Sequence, residues 1–291
     1  LSVARDPKIV VGLGEILWDL LPSGKQLGGA PANCAYHANA LGAVGVVLSA
    51  VGNDALGHKI IDTLYQKGLA TAHVSVLDDL DTGTVSVVLN VDGQATYTIH
   101  ENVAWDQIPM NISTMHLAQS TAAVCFGSLA QRSEISRKSI RDFINNTASD
   151  CLCVFDINIR QESIPKEILS ESLELATVLK LNDEELPYLA QVFDCDGDEK
   201  NQLQQLRSQF NLELVAYTRG AMGSIMLDAD EVVEVSGGES IEVADTVGAG
   251  DAYTASLIIN RLNGESLHII AQRAHARASL VCTQSGGMPD V

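Results

Sequence analysis

Basic residues are scarce in this chain. Its 291 residues carry 18 Lys and Arg against 37 Asp and Glu, a formal net charge of −19. A general nucleic-acid binder, or a protein adhering to an anionic membrane, needs a basic face, so neither nucleic acid nor membrane is expected as a partner. Long apolar runs are missing too. The longest weakly polar run, ALGAVGVVLSAVG from Ala40, is broken by glycines and falls short of the ~20 residues a bilayer span requires. The six cysteines (34, 125, 151, 153, 195 and 282) form no CxxC pair. That argues against a zinc site or a disulfide framework and for small buried thiols in a reducing compartment. The first residues, LSVARDPK, show no secretory signal pattern, and a soluble cytoplasmic protein is expected. Two phosphate-binding motifs also fail. Gly24-Lys25 is followed by Gln26, so there is no G-x-x-x-x-G-K-[ST] loop, and VGLGEIL has Leu17 where a dinucleotide fingerprint needs its third glycine. A nicotinamide-dependent oxidoreductase is disfavoured accordingly. Internal repeats, low-complexity tracts and Pro/Gly/Ser-rich linkers are absent as well.

What is present is a globular composition, 46% hydrophobic, in a chain longer than one core usually serves. KIVVGLG, VGVVLSAVG, AAVCFGS, CLCVFD, ATVLKLN and LELVAYTRG read as buried strands of continuous rather than alternating polarity. Amphipathic stretches of helical length lie between them: PANCAYHANALG, DALGHKIIDTLYQKG, SEISRKSIRDFINNT, KEILSESLELA, DEELPYLAQVF and DEKNQLQQLRSQF. Solidly apolar strands alternating with helices predict an α/β fold with a parallel sheet covered on both faces.

One region breaks the rhythm. DTGTVSVVLNVDGQATYTIH, from Asp81, places Val85, Val87, Leu89 and Val91 on one face, then Asp92-Gly93, then Tyr97 and Ile99. Asp-Gly between alternating runs predicts a tight antiparallel hairpin. Two strands need a further partner, which ILWDLLPSGKQL could supply. The hairpin is then a small inserted sheet, serving as lid or dimer surface; the alternative is an antiparallel edge of the main sheet. DCDGDE, from Asp194, departs from a calcium loop at Glu199 and Gln205 and reads as a solvated turn.

Ligands of open α/β sheets bind outside the carboxyl ends of the strands. The residues just past the predicted strands are Gly14, Glu15 and Asp19; Asp156, Asn158 and Arg160; Asn182 and Glu185; and Thr218, Arg219 and Gly220. Four strands thus deliver polar groups to one edge. In ADTVGAGDAYTASLIINRL, Gly248, Ala249 and Gly250 precede an amphipathic helix. Free N–H groups and the helix dipole there suit an anion whose charge develops in a transition state. Asp251 could accept a proton from an attacking hydroxyl, or it could merely cap the helix. In GGAPANCAYHANALG, Gly28 and Gly29 permit close backbone approach, and Asn33 could bind a polyol or lie on a solvated face.

Together these pieces resemble the ribokinase family of ATP-dependent, PfkB-type sugar kinases, closest to its bacterial fructokinase branch. GGAPAN is similar to that branch's sugar-loop signature, and DTVGAGD to the family's C-terminal signature. GEILWD, ENVAWD, DINIR, NDEE and TRGAMGS follow the family's order, from Lys8 to about Pro289. The resemblance implies a three-layer α/β/α domain with a mostly parallel sheet and a small antiparallel β lid. It assigns residues 1–15, 34–80 and 105–291 to the large nucleotide- and sugar-binding domain, and 16–33 and 81–104 to the lid, with a homodimer formed through the lid. It makes Asp251 the base and gives the transferring phosphoryl group to the backbone of Gly248, Ala249 and Gly250. Asp19, Gly28, Gly29 and Asn33 would hold sugar hydroxyls, and Arg160 the sugar or the moving phosphoryl group. Asn182 and Glu185 match a metal-and-phosphate element acting through water on ATP and Mg2+. Thr218, Arg219 and Gly220 match a nucleotide-phosphate turn, with Lys180 also facing phosphate. Asp245 with the Val247 carbonyl matches a site that members fill with K+. His275, near HARASLVC, stands in the adenine wall where relatives carry a small or amide residue. The segments QESIPKE and VSGGESIEVAD are short against the family pattern. The implied reaction is transfer of the γ-phosphoryl group to a primary hydroxyl, of fructose first, with ribose or 2-keto-3-deoxygluconate as other acceptors and a non-catalytic binding relative as the remaining reading.

Overall fold

The computed structural model describes residues 8–21, 24–89, 95–160, 164–237 and 242–291. The Asp92-Gly93 turn, the start of QESIPKE (161–163) and the centre of VSGGESIEVAD (238–241) lie outside them. The chain opens with β1 (Ile9–Leu13), leaves for β2 (Leu17–Leu21) and β3 (Gly24–Gly28), and returns through α1 (Ala30–Ala40) to β4 (Val44–Gly52). Next come α2 (Ala55–Gln66), β5 (Val74–Leu77), and the hairpin strands β6 (Thr84–Leu89) and β7 (Ala95–Ile99). The second half runs α3 (Ile112–Ser120), β8 (Thr121–Phe126), α4 (Glu134–Asn145), β9 (Leu152–Asp156), α5 (Lys166–Leu175) and β10 (Val178–Asn182). It continues through α6 (Glu185–Phe193), α7 (Glu199–Gln209), β11 (Leu214–Thr218), β12 (Gly223–Leu227), β13 (Val232–Ser236), α8 (Ala249–Leu262) and α9 (Leu267–Cys282).

Nine strands form the large sheet, in the order β13-β12-β11-β10-β9-β8-β1-β4-β5. Every neighbouring pair from β11 to β5 is parallel. The sheet is solid in sequence because both faces are covered. Along β9, Leu152 and Val154 join the core beneath α8 and α9, while Cys153 and Phe155 join the one beneath α4 to α7. All six cysteines are free thiols, five of them buried. Among the described residues no helix is long and apolar enough to cross a membrane.

The 81–100 hairpin is not an edge of this sheet. That antiparallel edge is β12–β13. The hairpin belongs instead to a four-stranded sheet ordered β3-β2-β6-β7, in which both outer pairs are antiparallel and the central β2–β6 pair is parallel. The segment expected to supply one strand to it, ILWDLLPSGKQL, supplies two. The expected boundary at residue 33 falls inside α1, whose unbroken helix joins Ala30–Asn33 to the large sheet.

Where β7 returns to the main body, ENVAWD proves structural. Asp106 receives Arg132 in a two-pronged ion pair at 2.8 and 2.9 Å, and the guanidinium lies 4.0 Å from the centre of the buried Trp105 ring. This fixes the base of the small sheet on α4 and the turn before it.

Phe155, fully buried, stacks on Phe126 with ring centres 5.2 Å apart. Phe155→Ala is expected to cost about 3–5 kcal/mol, read as a lower urea midpoint at unchanged slope.

Candidate active site

Helix α1 packs on α8 across β1, and the close approach brings two distant side chains together. Asn33 Nδ2 donates to Asp251 Oδ2 at 2.7 Å. Asn33 is 3% exposed, which removes the solvated-face reading, and its Oδ1 has no hydrogen-bond partner among the described residues. Asp251 is the third residue of α8. The cap position is Gly248, with φ 80° and no side-chain cap, so Asp251 is not the helix cap. First-turn geometry leaves the amides of Gly250 and Asp251 without intrahelical acceptors. Burial, reinforced by Asp156, raises the Asp251 carboxyl to about 6; Asn33, Lys180 and Arg160 oppose the rise.

Upstream of α1, Gly29 takes φ 117°, and a Cβ there would lie 2.4 Å from the Glu15 carbonyl oxygen, so this turn demands glycine. Glu15 Oε1 accepts the Ala30 N–H at 3.3 Å, while its buried Oε2 has no partner among the described residues. Burial pushes this carboxyl to about 7. Asp19, on β2 of the small sheet, lies over the Cα of Gly28 and is raised by partial burial against the pull of Arg160. The small sheet thereby brings a carboxyl to the mouth of the site.

Beneath α8 lies a buried polar chain. Lys180 Nζ donates to Asp156 Oδ1 at 3.0 Å, and Thr254 Oγ1 donates to Asp156 Oδ2 at 2.9 Å. Beside it, at the ends of β9 and β10, a cleft of about 220 Å3 is lined by Asn158, Arg160, Asn182, Glu184, Glu185 and Tyr188. Asn158 adopts φ 42° just past β9, turning the chain toward an exposed Arg160. Glu185 accepts N–H bonds from Ile159 at 2.9 Å and Asn182 at 2.8 Å. Burial raises its carboxyl, with Lys180 opposing. A larger depression between α6 and α7, lined by Pro187, Gln191, Asp194 and Asp196, contains none of the expected site residues.

The other expected residues are more dispersed. Thr218 ends β11, and Gly220 opens a single 3-10 turn. The Arg219 guanidinium is engaged by Glu234 at 2.7 Å and Glu199 at 3.8 Å, so the cation expected to face phosphate is already paired. The half-buried His275 sits on α9. Asp245 accepts the Val247 N–H at 3.0 Å and the Gly286 N–H at 2.9 Å, joining the Gly248 turn to the C-terminal strap 286–290. Among the described residues no cluster of three His, Cys, Asp or Glu forms a metal site.

Sequence reasoning missed the strap and Thr254. The strap is stapled to α1 and α2: Tyr36 Oη donates to the Pro289 carbonyl at 2.7 Å, Lys67 Nζ to the Met288 carbonyl at 2.7 Å, and His37 Nε2 lies 3.0 Å from the Gly287 carbonyl. Burial holds His37 neutral, its pKa near 4. Thr254 was legible as a hydroxyl one helical turn after Asp251, and Lys180 as a lone cation in an apolar strand.

Two sheets, a polar strand-end cleft and a glycine-led helix carrying a buried carboxylate define an α/β site whose helix N-terminus suits an anionic ligand. Residues 23–291 match the pfkB family of carbohydrate kinases, and the chain belongs to that family. It is 30% identical to the fructokinase of Salmonella typhimurium over 258 residues, covering 84% of this chain and 82% of the relative. An uncharacterized sugar kinase from Pyrococcus horikoshii superposes with a TM-score of 0.81 at 27% identity, over 97% of this chain and 94% of the other. The fructokinase of Vibrio cholerae O395, solved with fructose, ADP and a calcium ion, gives 0.82 at 25% identity, over 98% and 96% of the two chains.

Glu15 yields a stability test. Its folded pKa, about 7, exceeds the ordinary 4.5, so the native state binds the extra proton and ligand-free stability falls as pH rises between those values. Glu15→Gln keeps the Ala30 acceptor and removes the loss. Its unfolding free energy should match wild type near pH 4 and exceed it above pH 7 by on the order of 1–3 kcal/mol, read as a higher melting temperature in thermal scans at that pH.

Proposed function

We propose that this sugar kinase uses ATP to phosphorylate a primary hydroxyl, with fructose the first acceptor to test. The observation that carries the reading is the Asn33–Asp251 bond at the first turn of α8. It joins an amide suited to a polyol and a candidate base at a helix turn whose first amides lack intrahelical acceptors. GGAPAN and the fructokinase relatives support fructose.

In this reading the Asp251 carboxylate, ionised above pH 6, accepts the proton of the sugar hydroxyl as its oxygen attacks the γ-phosphorus and the bond to the ADP oxygen breaks. Asn33 orients that carboxylate, and the Gly248–Gly250 turn receives the equatorial negative charge. Arg160, exposed at the cleft, adds positive charge, while Asp19 and Gly28 bring the small sheet over the sugar as a lid that excludes water.

Magnesium, when bound, offsets phosphate charge. Both Glu185 oxygens already accept backbone N–H groups, so Glu185 with Asn182 suits holding its water shell. Asp245, with lone pairs left after its two amide bonds, and the Val247 carbonyl would hold a potassium ion next to the turn. Thr218 and Gly220 would meet nucleotide phosphate through backbone, and His275 the base. The assembly proposed is a homodimer through the small sheet, which sedimentation velocity would read as twice the 31.0 kDa chain.

The test is ADP release over a panel of sugars and sugar acids, with and without magnesium and potassium. Transfer to fructose supports the full reading; transfer to ribose or 2-keto-3-deoxygluconate alone moves the acceptor, and silence throughout would sink it. Asp251→Asn should lower kcat at least ~10³-fold while leaving sugar affinity within a few-fold. Wild-type kcat/KM should fall as pH drops below about 6, since protonation removes the base.

A further inference from the structure

Strand β10 reads VLKLN, and Lys180 interrupts an otherwise apolar strand with a side chain only 7% exposed. Burying an ammonium costs several kcal/mol unless it is paired, and Asp156 pairs it at 3.0 Å. That pairing explains how the charge is tolerated but not where it stands. A Cβ built on Gly250 would lie 3.1 Å from Lys180 Nζ and 4.0 Å from Lys180 Cε, and among the described residues beyond its chain neighbours and its own helix backbone no other heavy atom comes within 4 Å. The ammonium therefore looks onto the bare Cα of the second residue of α8, inside the anion-binding turn. Thr254 closes the arrangement, donating to Asp156 and lying 3.0 Å from the Gly250 carbonyl.

We propose that Lys180 is a positioning residue of the phosphoryl-transfer site: clamped by Asp156, its ammonium adds fixed positive charge behind the Gly248–Gly250 turn and beside Asp251. This rests on the kinase reading for its purpose, though not for its geometry. The charge reinforces the α8 dipole where equatorial phosphoryl oxygens would gather. It also favours the ionised form of Asp251, whereas Asp156 opposes that form. Other groups that face Asp251 are Asn33 on α1, Glu15 after β1, Cys125 on β8 and Arg160 after β9. Only Lys180 and Arg160 among them are cationic, and only Lys180 is buried. Proximity to Asp156 and Glu185 keeps the lysine itself charged, its pKa raised above the ordinary value.

The test titrates the Asp251 side-chain carboxyl by carbon-13 NMR in the ligand-free protein, its signal assigned by loss in Asp251→Asn. Lys180→Met should move the titration up by about one pH unit, Asp156→Asn should move it down, and Lys180→Arg should hold it near wild type. Should Lys180→Met not fold with a lone buried carboxylate, the neutral pair Lys180→Met/Asp156→Asn replaces it and should titrate above Asp156→Asn alone. In the kinase assay, Lys180→Met or the neutral pair should lose about ten- to hundredfold in kcat with sugar KM little changed, and Lys180→Arg should recover most of it. Unmoved titrations, shifts of the same sign from Lys180 and Asp156, or an unchanged kcat would overturn the proposal. Because the titration needs neither ATP nor sugar, a silent sugar panel defeats the kinase reading separately.

Discussion

The hydrogen bond from Asn33 to Asp251 joins residues 218 positions apart, and the rest of the site is arranged around it. It can form only because α1 and α8 pack side by side over β1, with glycine at the turn into each helix. The C-terminal strap then locks the pair from outside, pinned to the side chains of Tyr36, His37 and Lys67 and to the Asp245 carboxylate. Each helix brings one end of the bond; neither could place it alone.

Electrostatics set the second constraint. An acidic protein that binds polyanions must keep its carboxylates from repelling them. Here burial raises the carboxyls of Glu15, Asp19, Glu185 and Asp251 toward neutrality. Asp156 accepts hydrogen bonds from the Lys180 ammonium and the Thr254 hydroxyl. Positive charge comes from below, through Lys180, and from the cleft rim, through Arg160. Arg219 is paired with Glu199 and Glu234. Exposed acids at Asp194, Asp196 and Asp198 account for part of the remaining negative charge; Asp198 caps α7 by accepting the Asn201 N–H.

Much of the fold was legible because the parallel strands are buried on both faces, which writes an unmistakable apolar run into each of β1, β4, β8, β9, β10 and β11. β3 was not, because GKQLG is polar and becomes a strand only by pairing with β2. The β12–β13 edge was likewise unread, since VVEVS is only partly buried and takes its order from β12. Of the site, Asp251 and the glycines were visible as a pattern, but Asn33 on a buried face and the cap-free position of Asp251 were not.

By itself, then, the sequence determined the α/β class, the strand-end residues and, through two signatures, the family, because these depend on local pattern and order along the chain. Tertiary structure decided which candidates meet. It paired Asn33 with Asp251, set Lys180 under Gly250, and committed Arg219 to its glutamates. The physical reason is that burial and partnership are properties of packed neighbours, and those neighbours come from strands and helices far apart in the chain. The scarcity of basic residues acquires a local meaning there: among those the chain has, Lys180 is buried against Asp156 beside the first turn of α8.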